Sequence, residues 1–499
     1  MELGTVISTF DSPTTNAFSF VISNNSVRKG QFVQTKTEDG LLIGMVVEVT
    51  RANRYFERPE SVAEYEKEAP ISSSFPTEEW EYIVANVRPF GIFEKNALMR
   101  NTFPAAPGQK VFSADDETLG KFLGFADNGM NVGSIPNHNV EAKVGMNKLF
   151  QKHLAVLALS GAGKSYTTSV ILEELLDRKK EDGRVATVVI DPHGEYASFK
   201  NGEYANRTTV IKGEDIRIAF MGVSPYTLAE WMPNATAPQR REMVRVICDM
   251  KKEADEKRTF PNLNDLIDKI ESSSISENIR LPLLAWISEI RRLGIIGRRD
   301  NPKIEEIALP GRLTVLDISD IDDLRKKQII VSYFARKLFS LRKKGEIPPF
   351  VLFVEEAHNF VPESVKMESC LSKGIIEKIA REGRKFGASM CLISQRPVRL
   401  STTALSQCNT TIIMRVTNPY DVDHIGRSCE AMDKGMLQSI TTLRVGEALI
   451  IGEAVNHPVF FKVRRRRSQE SLKGRSMEDM AKEFEGRDEK KVLKVEAFL

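Results

Sequence analysis

The sequence predicts an α/β chain: a β-rich N-terminal part, then a parallel α/β sheet interrupted by a helical insertion. Three observations carry this. The first hundred or so residues hold short runs rich in Val, Ile, Phe and Thr between polar or Gly-containing turns. From about Gly145, short apolar runs alternate with helical spacing, the pattern of strand–helix–strand units. From about 224 to 311, only helical patterns occur.

The runs GTVIST, FSFVIS, QFVQT, GLLIGMVVEVT, EYIVANVRPFGIF and QKVFSA read as strands. Short strands joined by turns predict a small barrel or sandwich. RPESVAEYEKEAPISSSFPTEE interrupts them and reads as an exposed loop with one helical turn. HLAVLAL is a further strand, and SYTTSVILEELLDRKK puts Val170, Ile171 and Leu175 on one helical face. RVATVVID is a strand ending in an acid. TLAEWM, REMVRVICDMKKEADEK, LNDLIDKIESS and LPLLAWISEIRRLGII form the helical insertion, with no strand between them. RLTVLDIS, PFVLFVEEAH, ASMCLISQRP, NTTIIMRV, EALIIGEA and PVFFKVR return to β, with a helix, LRKKQIIVSYFARKLFSLRKK, between the first two. The expected division is 1–145 for the β-rich domain, 146–465 for the α/β domain and 466–499 for a charged arm.

Composition narrows the class. The 499 residues carry 71 Lys+Arg against 68 Asp+Glu, a formal charge of +3. Any nucleic-acid surface must therefore be local rather than a global excess. No 18-residue apolar run exists, so no membrane-spanning helix is expected, and MELGTVISTFDSP lacks the charged-then-apolar layout of a secretory signal. The five cysteines form no C-x-x-C pair. That disfavours a zinc ribbon or disulfide scaffold and fits a reducing, cytoplasmic compartment. The six histidines show no metal-ligand spacing.

Four motifs carry chemistry. Ala158–Ser165, ALSGAGKS, matches the phosphate loop G-x-x-x-x-G-K-[ST] except at its first position. Backbone N–H groups along Gly161, Ala162, Gly163, Lys164 and Ser165 can cradle phosphates, helped by the dipole of the following helix. Lys164 can reach the β- and γ-phosphates, and Ser165 can offer its hydroxyl oxygen to Mg²⁺. The bland alternative, a Gly-rich turn of a dinucleotide fold, has no need of Lys-Ser. Second, PFVLFVEEAH ends a strand in Glu355 and Glu356. Glu355 can face the magnesium side and Glu356 can act as general base on water, the alternative being a solvated acidic turn. Third, Gln395 ends the strand ASMCLIS, where open α/β sheets bind ligands, or is merely a polar residue in a turn before Pro397. Fourth, Arg381 and Arg384 share one side of a helix in IIEKIAREGRKFG. They could complete a neighbouring subunit's site as an arginine finger, or form an ordinary basic face.

Lesser signals follow. DPHGEY, Asp191–Tyr196, ends a strand near the nucleotide crevice or is a capped turn. VRRRR, ending at Arg467, could touch phosphate backbone or cap a domain edge. Lys366 and Lys373, after the acidic pair, are candidates for contacting a translocated polymer, or belong to a mobile polar loop.

GAGKSYTT, DPHGEY, VEEAHNFVPE, IAREGRKFG and ISQRP, in that order, resemble the HerA family of hexameric DNA translocases over roughly residues 146 to 465. The resemblance implies a RecA-like P-loop ATPase core with a helical insertion, preceded by an N-terminal β-barrel of the HAS type. It implies an ATP- and Mg²⁺-dependent homo-hexamer that pumps double-stranded DNA through its channel. It also implies a NurA-like nuclease partner, reached through the N-terminal barrel, and a role in end resection during double-strand break repair. By motif, Lys164, Ser165 and Tyr166 lie at the nucleotide, Glu356 is the base, Glu355 lies beside Mg²⁺, Arg381 is the trans-acting finger and Gln395 the γ-phosphate sensor. The family also places a basic residue before the phosphate-loop strand, where Lys152 stands, and a C-terminal strand beside the base, where Phe460, Phe461 and Lys462 stand. Ala158 departs from the family's glycine. Rival readings are a related pump of the conjugation or chromosome-segregation kind, a slow P-loop switch or scaffold, and a P-loop kinase.

Overall fold

The computed structural model describes residues 1–9, 12–23, 27–67, 70–74, 76–94, 97–232, 235–364, 369–429, 432–471 and 477–485. The chain divides into two compact units. One holds Met1–Leu149, Thr410–Arg415 and Cys429–Arg464, and the other holds Phe150–Asn409, Val416–Ser428 and the residues from Arg465 on.

The first unit opens with β1 (Glu2–Ile7), β2 (Phe18–Ile22), β3 (Phe32–Thr37), β4 (Gly40–Asn53), β5 (Glu81–Glu94), β6 (Ala97–Met99) and β7 (Lys110–Ser113). The order β2-β1-β7-β3-β4-β5, with β2 also paired to β5, closes a six-stranded antiparallel barrel. Closure leaves the six strands no free edge. β6 pairs antiparallel with the last residues of β5. The alternation of the sequence runs points Phe18, Phe20, Val33, Leu42, Val46, Val87 and Val111 inward as the barrel core. Fully burying such a side chain is worth about 1.5–3 kcal/mol. The RPESVAEYEKEAPISSSFPTEE segment between β4 and β5 forms more than the single turn expected: helical stretches run Pro59–Tyr65 and Ile71–Ser74. β8 (Met130–Ser134) and β9 (Glu141–Val144) follow as a hairpin.

The second unit begins with β10 (Leu154–Leu157), α1 (Lys164–Asp177), β11 (Ala186–Asp191) and β12 (Thr208–Lys212). β13 (Ile218–Ala219) precedes the insertion, whose main helices are α2 (Ala237–Lys257), α3 (Leu263–Glu271) and α4 (Glu277–Arg292). Their buried residues recur at helical spacing: Met243, Val246, Ile247 and Met250, then Leu263, Leu266 and Ile270, then Leu283, Ile287 and Ile290. Reciprocal caps start two of them, Thr236 with Gln239 and Asn262 with Asp265. The insertion is not free of strand: β14 (Ile296–Gly297) pairs with β13 over two residues, too short to leave a periodic signal.

β15 (Leu313–Asp317), α5 (Leu324–Lys344), β16 (Phe350–Val354), α6 (Lys373–Glu382) and β17 (Ala388–Ser394) complete the core. Six parallel strands run in the order β12-β15-β11-β16-β17-β10. Every residue of β11, β15, β16 and β17 is buried, as strands covered on both faces require. In register, Ile190 lies beside Val354, Val354 beside Leu392, and Leu157 beside Ser394. The carboxyl ends of β11, β16, β17 and β10 thus finish along one line. The chain then returns to the first unit as β18 (Thr410–Ile413), β19 (Glu447–Gly452) and β20 (Val459–Val463), in the antiparallel order β18-β19-β20-β8-β9. All five cysteines are free, and no described helix is long and apolar enough to cross a membrane.

Candidate active site

The loop after β10 turns by means of Gly161 (φ 76°) and Gly163 (φ 103°), a left-handed backbone that L side chains resist. Ala158 does not share that demand. Its amide donates to Ser394 O at 3.2 Å, continuing the ladder to β17, so an alanine costs nothing there. Gly163 is the N-cap of α1, which places Lys164 and Ser165 in its first turn.

Lys164 is the meeting point. Its ammonium pairs with Oε1 of Glu355 and lies 3.3 Å from Oε1 of Glu356. All three side chains are buried, with Glu355 fully enclosed. Lysine and the two acids come from positions 191 and 192 residues apart, joined because β10 and β16 both flank β17. Glu356 has a left-handed backbone (φ 51°), uncommon for a residue other than glycine, at the turn where both adjacent acids meet Lys164. Its Oε2 is buried without a hydrogen-bond partner, 3.3 Å from His358 Nδ1. That nitrogen instead shares a hydrogen bond of 3.1 Å with Ser394 Oγ. Burial pushes the His358 pKa down, Glu356 opposes, and Arg396, Arg399 and Lys164 add to the depression, so the ring is held neutral.

The DPHGEY turn supplies what sequence reasoning missed. Asp191 is fully buried and accepts the backbone N–H groups of His193, Gly194, Glu195 and Tyr196 at 2.7 to 3.2 Å. Burial raises its pKa against those hydrogen bonds. The capped turn fixes two side chains: Tyr196 donates to Glu355 Oε2 at 2.8 Å, and Ser165 Oγ donates to Glu195 Oε2. Of the two sequence readings, a capped turn is what the backbone forms, and its Glu195 reaches the phosphate-loop serine.

Gln395 follows β17 directly and is half-buried. Arg381 lies near the end of α6 with its guanidinium exposed and 3.9 Å from Glu377. Arg384 sits beyond the helix in a 3-10 turn, not on the shared helical side expected. Lys152 is half-buried just before β10, and its carbonyl accepts the amide of Asn409. Tyr166 accepts the amide of Arg466 on its hydroxyl at 2.8 Å. Lys373 is buried, with its ammonium 3.1 Å from Glu363 O. Lys366 lies outside the described residues. Phe460, Phe461 and Lys462 belong to β20 of the first unit, where Phe461 is buried and Lys462 exposed. Among the described residues no group of three or more His, Cys, Asp or Glu side chains could hold a metal ion.

The arrangement is a phosphate cradle facing two strand-end acids. A family model described as the central domain of helicase HerA matches residues 130–338. A probable helicase of Methanocaldococcus jannaschii is 30% identical over 468 residues, covering 89% of this chain and 87% of that protein. The chain belongs to the HerA helicase family. The DNA double-strand break repair helicase HerA of Pyrococcus furiosus is 28% identical, with 90% of each chain covered. Two solved structures share the fold at lower identity. VirB4 of Thermoanaerobacter pseudethanolicus has a TM-score of 0.52 at 15% identity, covering 68% of this chain and 98% of its own. The plasmid coupling protein TrwB, in complex with the non-hydrolysable ATP analogue ADPNP, has 0.51 at 12%, covering 72% and 94%. The RecA-like P-loop core expected from the HerA resemblance, its helical insertion and the N-terminal barrel are all present.

Proposed function

We propose that this chain is an ATP-driven motor that moves along double-stranded DNA and serves double-strand break repair. The observation that carries the reading is Lys164 meeting both Glu355 and Glu356 in one buried cluster. Relatives named as DNA double-strand break repair helicases support the DNA substrate and the repair role. Lys164 neutralises phosphate charge, and the loop amides hold the triphosphate in line. Glu356, with its unpartnered Oε2, takes the proton of the attacking water. The neutral His358 ring lies 3.3 Å from that oxygen. Gln395 orients groups around the γ-phosphate, with Tyr166 and Lys152 assigned to the nucleotide's periphery.

Mg²⁺ fits the donor set. Ser165 and Glu355 offer hard oxygens, and Mg²⁺ takes one or two protein oxygens beside substrate phosphates rather than a full protein cage. When bound, it neutralises charge developing on the phosphates.

The further reading is a homo-hexamer in which Arg381 of one subunit completes the site of the next. Its exposed guanidinium supports that role. Lys366 and Lys373 are assigned to DNA contact in this scheme, although the burial of Lys373 leaves its ammonium a contact only after local rearrangement. A NurA-like nuclease docks on the N-terminal barrel, and the protein works in the cytoplasm. The test is ATP turnover of Lys164→Ala and Glu356→Gln with and without duplex DNA. Both should lose DNA-stimulated turnover, while Glu356→Gln still binds ATP. Normal turnover in either variant rejects the assignment. A phosphorylated acceptor in place of free phosphate would indicate a kinase.

A further inference from the structure

We propose that Glu195 is a positioning residue of the nucleotide site: it holds the Ser165 hydroxyl proton and so sets the affinity of the site for a divalent cation. The inference rests on the ATP-binding reading above.

A serine hydroxyl has one hydrogen and two lone pairs. To serve a cation, Ser165 must aim a lone pair at it, so its hydrogen needs an acceptor elsewhere. Ser165 Oγ donates to Oε2 of Glu195, which fixes the rotor. A carboxylate accepts this bond more strongly than a neutral group and adds negative charge beside the cation.

Glu195 is not on a free loop. Asp191 locks its turn through four backbone amides, Glu195's own among them at 3.1 Å. The next residue, Tyr196, is fully buried and donates to Glu355. One rigid turn therefore grips the loop serine and the magnesium-side acid together. A third tie anchors its backbone, since Ser471 Oγ donates to Gly194 O at 3.3 Å. A solvated acid with no role would not need a buried aspartate to fix it opposite a phosphate-loop hydroxyl.

The test uses the full chain and a fluorescent ADP, titrated in EDTA and against Mg²⁺, with ATP turnover measured across the same Mg²⁺ range. Glu195→Ala should raise the Mg²⁺ concentration for half-saturation about tenfold in binding and turnover alike, the usual size of an outer-shell loss. Metal-free ADP affinity should change less than about twofold. Glu195→Gln, which keeps an acceptor oxygen and the shape, should fall between alanine and wild type. Unchanged Mg²⁺ half-saturation in Glu195→Ala overturns the proposal. So does an equal loss of ADP affinity with and without metal, which would mark a collapsed loop. Failure of the unmutated chain to bind ADP at all would instead reject the ATP reading, and this inference with it.

Discussion

Tyr196 donates its phenolic hydrogen to Glu355 across 2.8 Å, with both side chains fully buried. A tyrosine from the turn after β11 thus fixes an acid just past the end of the neighbouring β16. A hydrogen bond to a charged group contributes about 1.5–3 kcal/mol. Burial raises the Tyr196 pKa well above its usual value, with Glu195 and Asp191 adding to it, so the hydroxyl stays a donor at any working pH. Tyr196→Phe keeps the ring and removes only the donor. Its melting temperature should fall by a few degrees, and ATP turnover about tenfold, the factor that corresponds to about 1.4 kcal/mol of lost positioning. ADP affinity should stay within about twofold. Wild-type turnover in this variant would mean that Glu355 needs no such restraint.

The phosphate loop was legible because its geometry is local: five contiguous residues, two of them glycines with left-handed backbones. The acidic pair was legible because an all-apolar strand announces its own end. Glu195 was not. Its partner lies 30 residues away, and the two meet only because sheet order puts the carboxyl ends of β11 and β10 on the same side of the core, a relation invisible to any window. The available signal was an acid four residues after Asp191, beyond a strand's carboxyl end. The arginine run misleads for a similar reason. Arg464 donates to Asn131 O at 2.9 Å, and Arg467 pairs with Asp177 at 2.6 Å, so part of that charge is spent on the protein itself. Charge runs look alike in sequence whether solvated, docked or bound to phosphate.

His153 links the start of the phosphate-loop strand to the end of α6. Its Nε2 lies 3.0 Å from Ala380 O, beside Arg381, and its Nδ1 accepts the Met390 amide at 3.0 Å. That pattern needs the neutral ring protonated on Nε2. Burial lowers its pKa to about 4, against the raising effect of the hydrogen bonds to Ala380 and Ile379. At pH 7 both folded and unfolded forms are neutral, so nothing is lost. As pH falls below about 6.5 the unfolded histidine gains a proton that the folded one refuses. Stability therefore declines between about pH 6.5 and 4, by up to roughly 3 kcal/mol from this group alone. Melting curves at pH 7.5 and 5 should show the loss, and His153→Gln should show less of it. An equal pH dependence in the variant would assign the loss to other groups.

Residues just after Arg464 strap α1. Glu173, fully buried in that helix, accepts the amides of Arg467 and Ser468 at 2.8 Å each and the Ser468 hydroxyl at 2.7 Å. Arg466 stacks over the Tyr166 ring at 5.8 Å, and Ser198 Oγ donates to Gln469 O at 2.8 Å. Glu173→Ala strands three donors, each costing about 1–3 kcal/mol if it stays buried, so the segment should detach instead. Hydrogen exchange at the Arg467 and Ser468 amides should accelerate at least about tenfold, since about 1.4 kcal/mol of lost protection suffices for that factor. Unchanged protection would show that the ion pairs of Arg467 hold the strap without Glu173.

The trans role proposed for Arg381 gives the sharpest test of assembly. An arginine finger is worth about 10³–10⁵ in turnover, whereas a partly solvated helix-surface pair such as Arg381–Glu377 at 3.9 Å is worth about 1 kcal/mol at most. The two roles therefore differ by orders of magnitude. Arg381→Ala alone should lose at least about a thousandfold in DNA-stimulated ATP turnover, with little change in melting temperature. Lys164→Ala alone should also be inactive, through the loop rather than the finger. Mixed before assembly, the two inactive chains should recover turnover. At some interfaces the Arg381→Ala chain presents an intact loop with Glu355 and Glu356, and its neighbour, the Lys164→Ala chain, presents an intact finger. Recovery on mixing cannot arise if both groups serve the same chain's nucleotide, because every subunit would then carry one defect. Absence of recovery, in mixtures shown by mass to contain both chains in one particle, would place Arg381 outside the neighbour's site.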